Sequence, residues 1–102
     1  SFLRLPGGRL LSPRTFTIAM NTFDLISHVD QFRVSQKRKD LLEVQIKKKD
    51  DLVDEKVMEN TLVSHLERML AIKTSDLVID VKFVEGITLK RNGKFNIVSS
   101  EL

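Results

Sequence analysis

Lys94 is the side chain whose neighbours best equip it to meet an anion. In Lys90-Arg91-Asn92-Gly93-Lys94, the Asn92-Gly93 pair favours a tight turn, and Gly93 lets the backbone approach a partner closely. Lys94 then projects just ahead of the apolar Phe95. An ammonium so placed could offset charge on a phosphate or carboxylate. On spacing alone, a hairpin turn with solvated lysines remains the simpler account. The other chemistry-bearing residues form no constellation. His28 and His65 are far apart and lack a nearby ligand pair, so both read as structural rather than as a base or ligand. Asp50, Asp51, Asp54 and Glu55 cluster where a helix begins, and capping explains them. Cysteine is absent, no serine sits in a nucleophile elbow, and no acidic metal loop is present, so no metal site is expected.

The chain has 102 residues, enough for one domain with a thin core and too few to wall a deep substrate cavity. If it takes part in catalysis, another body supplies most of the active site. Its 17 basic residues face 14 acids, a net charge of only +3. The runs Lys37-Arg38-Lys39 and Lys47-Lys48-Lys49 are each followed at once by acids, and read as solvated turn ends rather than phosphate patches. Tyr and Trp are absent, and the Phe residues fall mostly at core-like positions, which argues against a nucleic-acid-binding sheet. No apolar run approaches the roughly 18 residues of a membrane span, and no signal-peptide pattern is present. The cytoplasm is the expected compartment, and a chain that begins at Ser1 is expected to be a fragment.

The elements that must position these residues are legible in outline. Pro6-Gly7-Gly8 marks a turn, and Leu10-Leu11 a short strand. Ser12-Pro13 is a compact helix start, and Phe16, Ala19, Met20 and Phe23 share a face of a helix over about 13–22. A strand from His28 to Gln36, with Phe32 and Val34 inward, leads through a charged turn at 37–40 to a strand over 41–47. There Leu42, Val44 and Ile46 alternate with polar residues, and the two strands make a hairpin. Asp54-Glu55 opens the longest helix, whose apolar stripe is Val57, Met58, Leu62, Leu66, Met69 and Leu70, ending near 72. Asp76 reads as a turn or cap residue. Leu77, Ile79, Val81 and Phe83 alternate in the clearest strand, and Phe95, Ile97 and Val98 form a last short apolar run. The order β-α-β-β-α-β predicts an α+β sandwich, two helices on one face of a small, mostly antiparallel sheet. No repeat or interdomain linker interrupts it.

Three segments, taken together, resemble one family. Gly8-Arg9-Leu10-Leu11-Ser12-Pro13 resembles the Gly-Arg-x-Ile/Val-Ser-Pro start of the small C-terminal domain of phenylacetate–CoA ligases and related capsular-polysaccharide adenylate-forming proteins. Phe32-Arg33-Val34-Ser35-Gln36 is similar to that family's Tyr-Gln-Val-Val-Gln strand, with Phe for Tyr. Val84-Glu85-Gly86-Ile87, followed by Asn92-Gly93-Lys94-Phe95, resembles the closing Val-Glu/Asp-x-Ile-Pro and Ser-Gly-Lys signature. Thr88 stands where the family usually has proline, and Asn92 where it has Ser or Thr. The segments lie in the family's order and span nearly the whole chain.

The resemblance implies a small lid domain over residues 10–102, preceded by a hinge-proximal segment at 1–9 that carries Gly8 and Arg9. It implies that Lys94 is the catalytic lysine of adenylation, with Gly93 and Asn92 shaping the nucleotide loop. It further implies a large N-terminal domain of the same protein as partner. That domain would bind ATP, Mg2+ and a carboxylic acid, with CoA as co-substrate, and the lid alone would be inactive. No nucleic-acid or membrane partner is expected. The alternative is a free-standing α+β binding or regulatory module, acting on nucleic acid or as a homodimer through its sheet.

Overall fold

The computed structural model describes residues 2–87 and 98–100. Two short strands, β1 (Leu3–Arg4) and β2 (Leu10–Leu11), precede helix α1 (Pro13–Asn21). Strands β3 (Val29–Arg38) and β4 (Leu41–Lys48) follow, then α2 (Glu55–Leu70), β5 (Val78–Phe83) and β6 (Val98–Ser100). The α+β architecture expected from the sequence is present. Among the described residues, no helix is long and apolar enough to cross a membrane.

Both helices start where their capping residues place them. The Ser12 hydroxyl accepts from the Thr15 amide at 3.2 Å, and Pro13 fills the first helical position, where no amide partner is needed. Asp54 accepts from the amides of Lys56 and Val57 at 2.7 and 3.2 Å. Helix α2 ends on Ala71, in the left-handed conformation at φ 53°. Its buried line is Met58, Leu62, Leu66 and Leu70, with His65 beside it. Val57 and Met69, expected in that stripe, are half exposed. Steps of four residues keep the contact line on one side of the helix, and those two positions fall off it.

The helices and the inner face of the sheet share one core. Phe16, Ala19, Met20 and Phe23 meet Val34, Leu42, Val44, Ile46, Ile79 and Val81 in it. Phe32 is only partly buried and packs against Phe16, their ring centroids 6.2 Å apart. The described part of the opening segment belongs to the same core, with Leu3 fully buried and Leu5 nearly so. Packing therefore continues across residue 9 without a break.

The four-stranded sheet has the order β5-β4-β3-β6. Its centre is the expected hairpin, which pairs Phe32 with Ile46, Val34 with Val44 and Gln36 with Leu42. The turn is tighter than expected, because β3 runs on to Arg38, which pairs with Leu41. Lys37 and Arg38 extend the strand at the sheet's end. The antiparallel expectation is met in the β3–β4 hairpin and in the separate β1–β2 ribbon, whereas both edge strands run parallel to their neighbours. For β5 the cause is α2, which carries the chain back along the sheet so that β5 starts beside the start of β4.

Candidate functional site

Gly8 and Arg9 sit in a tight turn between β1 and β2. Gly7 and Gly8 both have φ of 79°, a backbone shape that a side chain would strain. The turn is closed by the Leu5 amide donating to the Arg9 carbonyl at 2.8 Å. The Arg9 guanidinium donates to the Ala71 carbonyl at 2.9 Å. That places a cation at the carboxyl end of α2, where the helix dipole favours it. Arg9 thus anchors the opening turn to the far end of the long helix.

Gln36 fastens the same segment to the sheet. It is wholly buried, accepts from the Arg4 amide at 2.7 Å and donates to the Arg4 carbonyl at 2.8 Å. The sequence carried a signal for this. Gln36 shares the inward parity of Phe32 and Val34, and a buried amide must find partners. Gln36→Ala leaves both Arg4 backbone groups unpaired, with an expected loss of about 2–3 kcal/mol in urea unfolding. A loss below the error of that measurement would remove the clamp.

The β1–β2 turn, the β3–β4 turn and the approach to β5 enclose a cleft of about 460 Å³. Arg4, Gly8, Lys39, Asp40 and Asp76 are among its walls. Asp76 lies in a turn, as expected, its amide donating to the Lys73 carbonyl at 2.9 Å.

Asn92, Gly93 and Lys94 lie outside the described residues. Strand β5 ends with Phe83 beside Ile46, and the Val84 amide donates to the Ile46 carbonyl at 2.9 Å. Strand β6 begins at Val98, opposite Val34. A smaller cleft of about 260 Å³ next to Val84 and Glu85 is lined by Lys47, Lys48, Lys49, Asp50 and Asp51. This is the far end of β4 from the cleft that Gly8 lines, and β4 itself spans roughly 23 Å at about 3.3 Å per residue. Gly8 therefore sits near the start of β5, at the opposite end of the sheet from Phe83.

The basic run beside that cleft is largely neutralised. Lys47 pairs with Asp30 at 2.6 Å. Lys48 pairs with Glu55 at 2.8 Å and Asp51 at 3.0 Å, and these partners, Glu55 first, raise its pKa above the ordinary lysine value. His28 Nδ1 lies 3.0 Å from Asp50, which also accepts from the Leu52 amide. The Leu52 amide, and after it His28, hold the Asp50 carboxyl below its usual range. A depressed carboxyl contributes stability above its unfolded pKa and loses it as pH falls through the folded one. Asp50→Asn is therefore expected to lower stability at neutral pH, with the difference from the parent vanishing in acid. Unfolding curves at both pH values check this, and a pH-independent difference would contradict it.

His65 is held as a structural residue. Its Nε2 donates to the Ala19 carbonyl at 2.8 Å and lies 3.2 Å from the Thr22 hydroxyl. Nδ1 faces the Arg68 guanidinium at 3.4 Å and so accepts. Nε2 thus ties α2 to the end of α1, while Nδ1 is engaged by Arg68 of its own helix. Among the described residues, no group of three His, Asp or Glu side chains could hold a metal ion.

No model of a known protein family matches the chain, and no curated protein matches it.

Proposed function

We propose that this chain is the mobile C-terminal domain of a phenylacetate–CoA ligase-like enzyme, which activates a carboxylic acid with ATP as the acyl-adenylate and transfers it to CoA. The observation that carries the reading is the Val84-Glu85-Gly86-Ile87 exit from β5, which leads to Asn92-Gly93-Lys94 in an α+β domain of the expected element order. The acid, ATP and Mg2+ belong to the N-terminal domain under this reading.

The chemistry asked of Lys94 is electrostatic. Attack of a carboxylate on the α-phosphate brings two anions together and builds charge on the phosphoryl oxygens. A positioned ammonium offsets both, and its effect grows when the closing domain excludes water. Gly93 gives the loop its close approach. Rotation of the domain then exchanges this loop for another face during transfer to the thiol. A single core shared by the helices and the sheet supports such a motion, since the domain can swing as one body.

The test is carboxylate-dependent exchange of pyrophosphate into ATP. The full-length protein that bears this segment is expected to exchange only when an acid is supplied, and the isolated chain to give none. No exchange across a panel of aryl and alkyl carboxylates would refute the ligase reading. Retention on heparin that persists at moderate salt would instead favour the nucleic-acid-binding class.

A further inference from the structure

Among the described residues, strand β5 is an edge strand of the sheet, and the side turned away from β4 has a definite pattern. The amides of Val78 and Val84 donate inward, to the carbonyls of Asp40 and Ile46. Strand alternation therefore turns the amides and carbonyls of Ile79, Val81 and Phe83 outward. Among the described residues, β4 is the only strand paired with β5. The side chains follow the same alternation. Ile79 and Val81 point into the core, whereas Asp80 and Lys82 lie on the opposite face, about half exposed.

We infer that β5 pairs antiparallel with β5 of a second copy of this chain, about a two-fold axis at Val81. Outward-pointing residues must face outward-pointing residues for the ladder to form. This restricts a symmetric pairing to centres on Ile79, Asp80, Val81, Lys82 or Phe83. A centre on Asp80 sets that carboxylate against its own copy, and a centre on Lys82 opposes two ammonium groups. Centres on Ile79 or Phe83 leave part of the outward ladder beyond the partner strand. The centre on Val81 pairs Ile79 with the other copy's Phe83, so all three outward residues exchange both hydrogen bonds. It also sets Asp80 directly across from Lys82, twice over, at the closely spaced positions of the ladder. The apolar face of Ile79, Val81 and Phe83 then runs on across the junction.

Charges on an edge strand ordinarily keep it unpaired. Here they are opposite in sign and symmetric about Val81, so they repel other registers and complement this one. Within one chain, Lys82 lies 3.9 Å from both Asp80 and Glu43, at the limit of an ion pair, and is free to turn to a partner. A closed two-fold pair also consumes the free edge on both copies. This inference is independent of the role proposed for Lys94.

The experiment is sedimentation equilibrium of the chain and its charge-swapped variants, with circular dichroism as the check on folding. The parent chain is expected to show a concentration-dependent monomer–dimer equilibrium. Asp80→Lys and Lys82→Asp each turn two attractions into two repulsions and should weaken self-association roughly 10- to 100-fold. An equimolar mixture of the two folded variants restores complementary pairs and should dimerise as the parent does. The double variant, with both changes, should also dimerise. A parent that stays monomeric throughout, or single swaps that self-associate as tightly as the parent, would overturn the inference. Failure of the mixture to recover association would overturn it equally.

Discussion

Lys94→Ala in the full-length protein is expected to lower acid-dependent ATP–pyrophosphate exchange by about 10²–10³-fold, the range seen when a group stabilising transition-state charge is removed. The protein's fold should be unchanged, since Lys94 lies in a polar turn sequence ahead of the apolar run at Phe95. Lys94→Arg keeps the charge but moves it onto a broader, planar group, so only partial recovery is expected. In the proposed role the ammonium acts where charge develops, so the loss is expected in the rate of adenylate formation rather than in the affinity for ATP. Exchange within a few-fold of the parent would remove Lys94 from the mechanism.

Phe16→Ala is expected to cost about 3–5 kcal/mol, a large share of what a domain of this size has. Phe16 is fully buried on α1 and joins the core shared by both helices and the sheet. Truncation leaves a cavity between rigid elements that cannot close on it. Phe32→Ala, at the partly buried partner ring, should cost clearly less. Urea unfolding of both variants measures the difference, and equal losses would mean that Phe16 is not at the centre of packing.

The parts of this fold that were legible in the sequence are those set by local chemistry. Ser12-Pro13 and Asp54 fix helix starts through bonds to amides two or three residues away, and these fall where the residue types place them. The alternation of Leu42, Val44 and Ile46 gives the inward face of β4 directly. What could not be read depends on partners distant in the chain. Nothing local to Val78–Phe83 states that its neighbour is parallel, since that follows from how α2 returns the chain. The same holds for β1, which pairs across the Gly7-Gly8 turn, and for Arg9, whose partner is a carbonyl at the end of α2.

The candidate site divides along the same line. Gly8 was legible as a turn glycine because positive φ is a property of one residue. The clamp from Gln36 to Arg4 joins two segments remote in sequence, and only its buried parity hinted at it. Val57 and Met69 were misplaced in the core stripe because hydrophobicity alone cannot distinguish a contact line from its margin. Lys94, Gly93 and Asn92 lie outside the described residues, so their role rests on the resemblance and on the chemistry of adenylation.

The central claim is tested most directly by measuring the two half-reactions separately in full-length Lys94→Ala. The account predicts loss of acid-dependent pyrophosphate exchange, with transfer from a supplied acyl-adenylate to CoA kept within a few-fold of the parent. Equal loss in both half-reactions, or no loss in either, would contradict it.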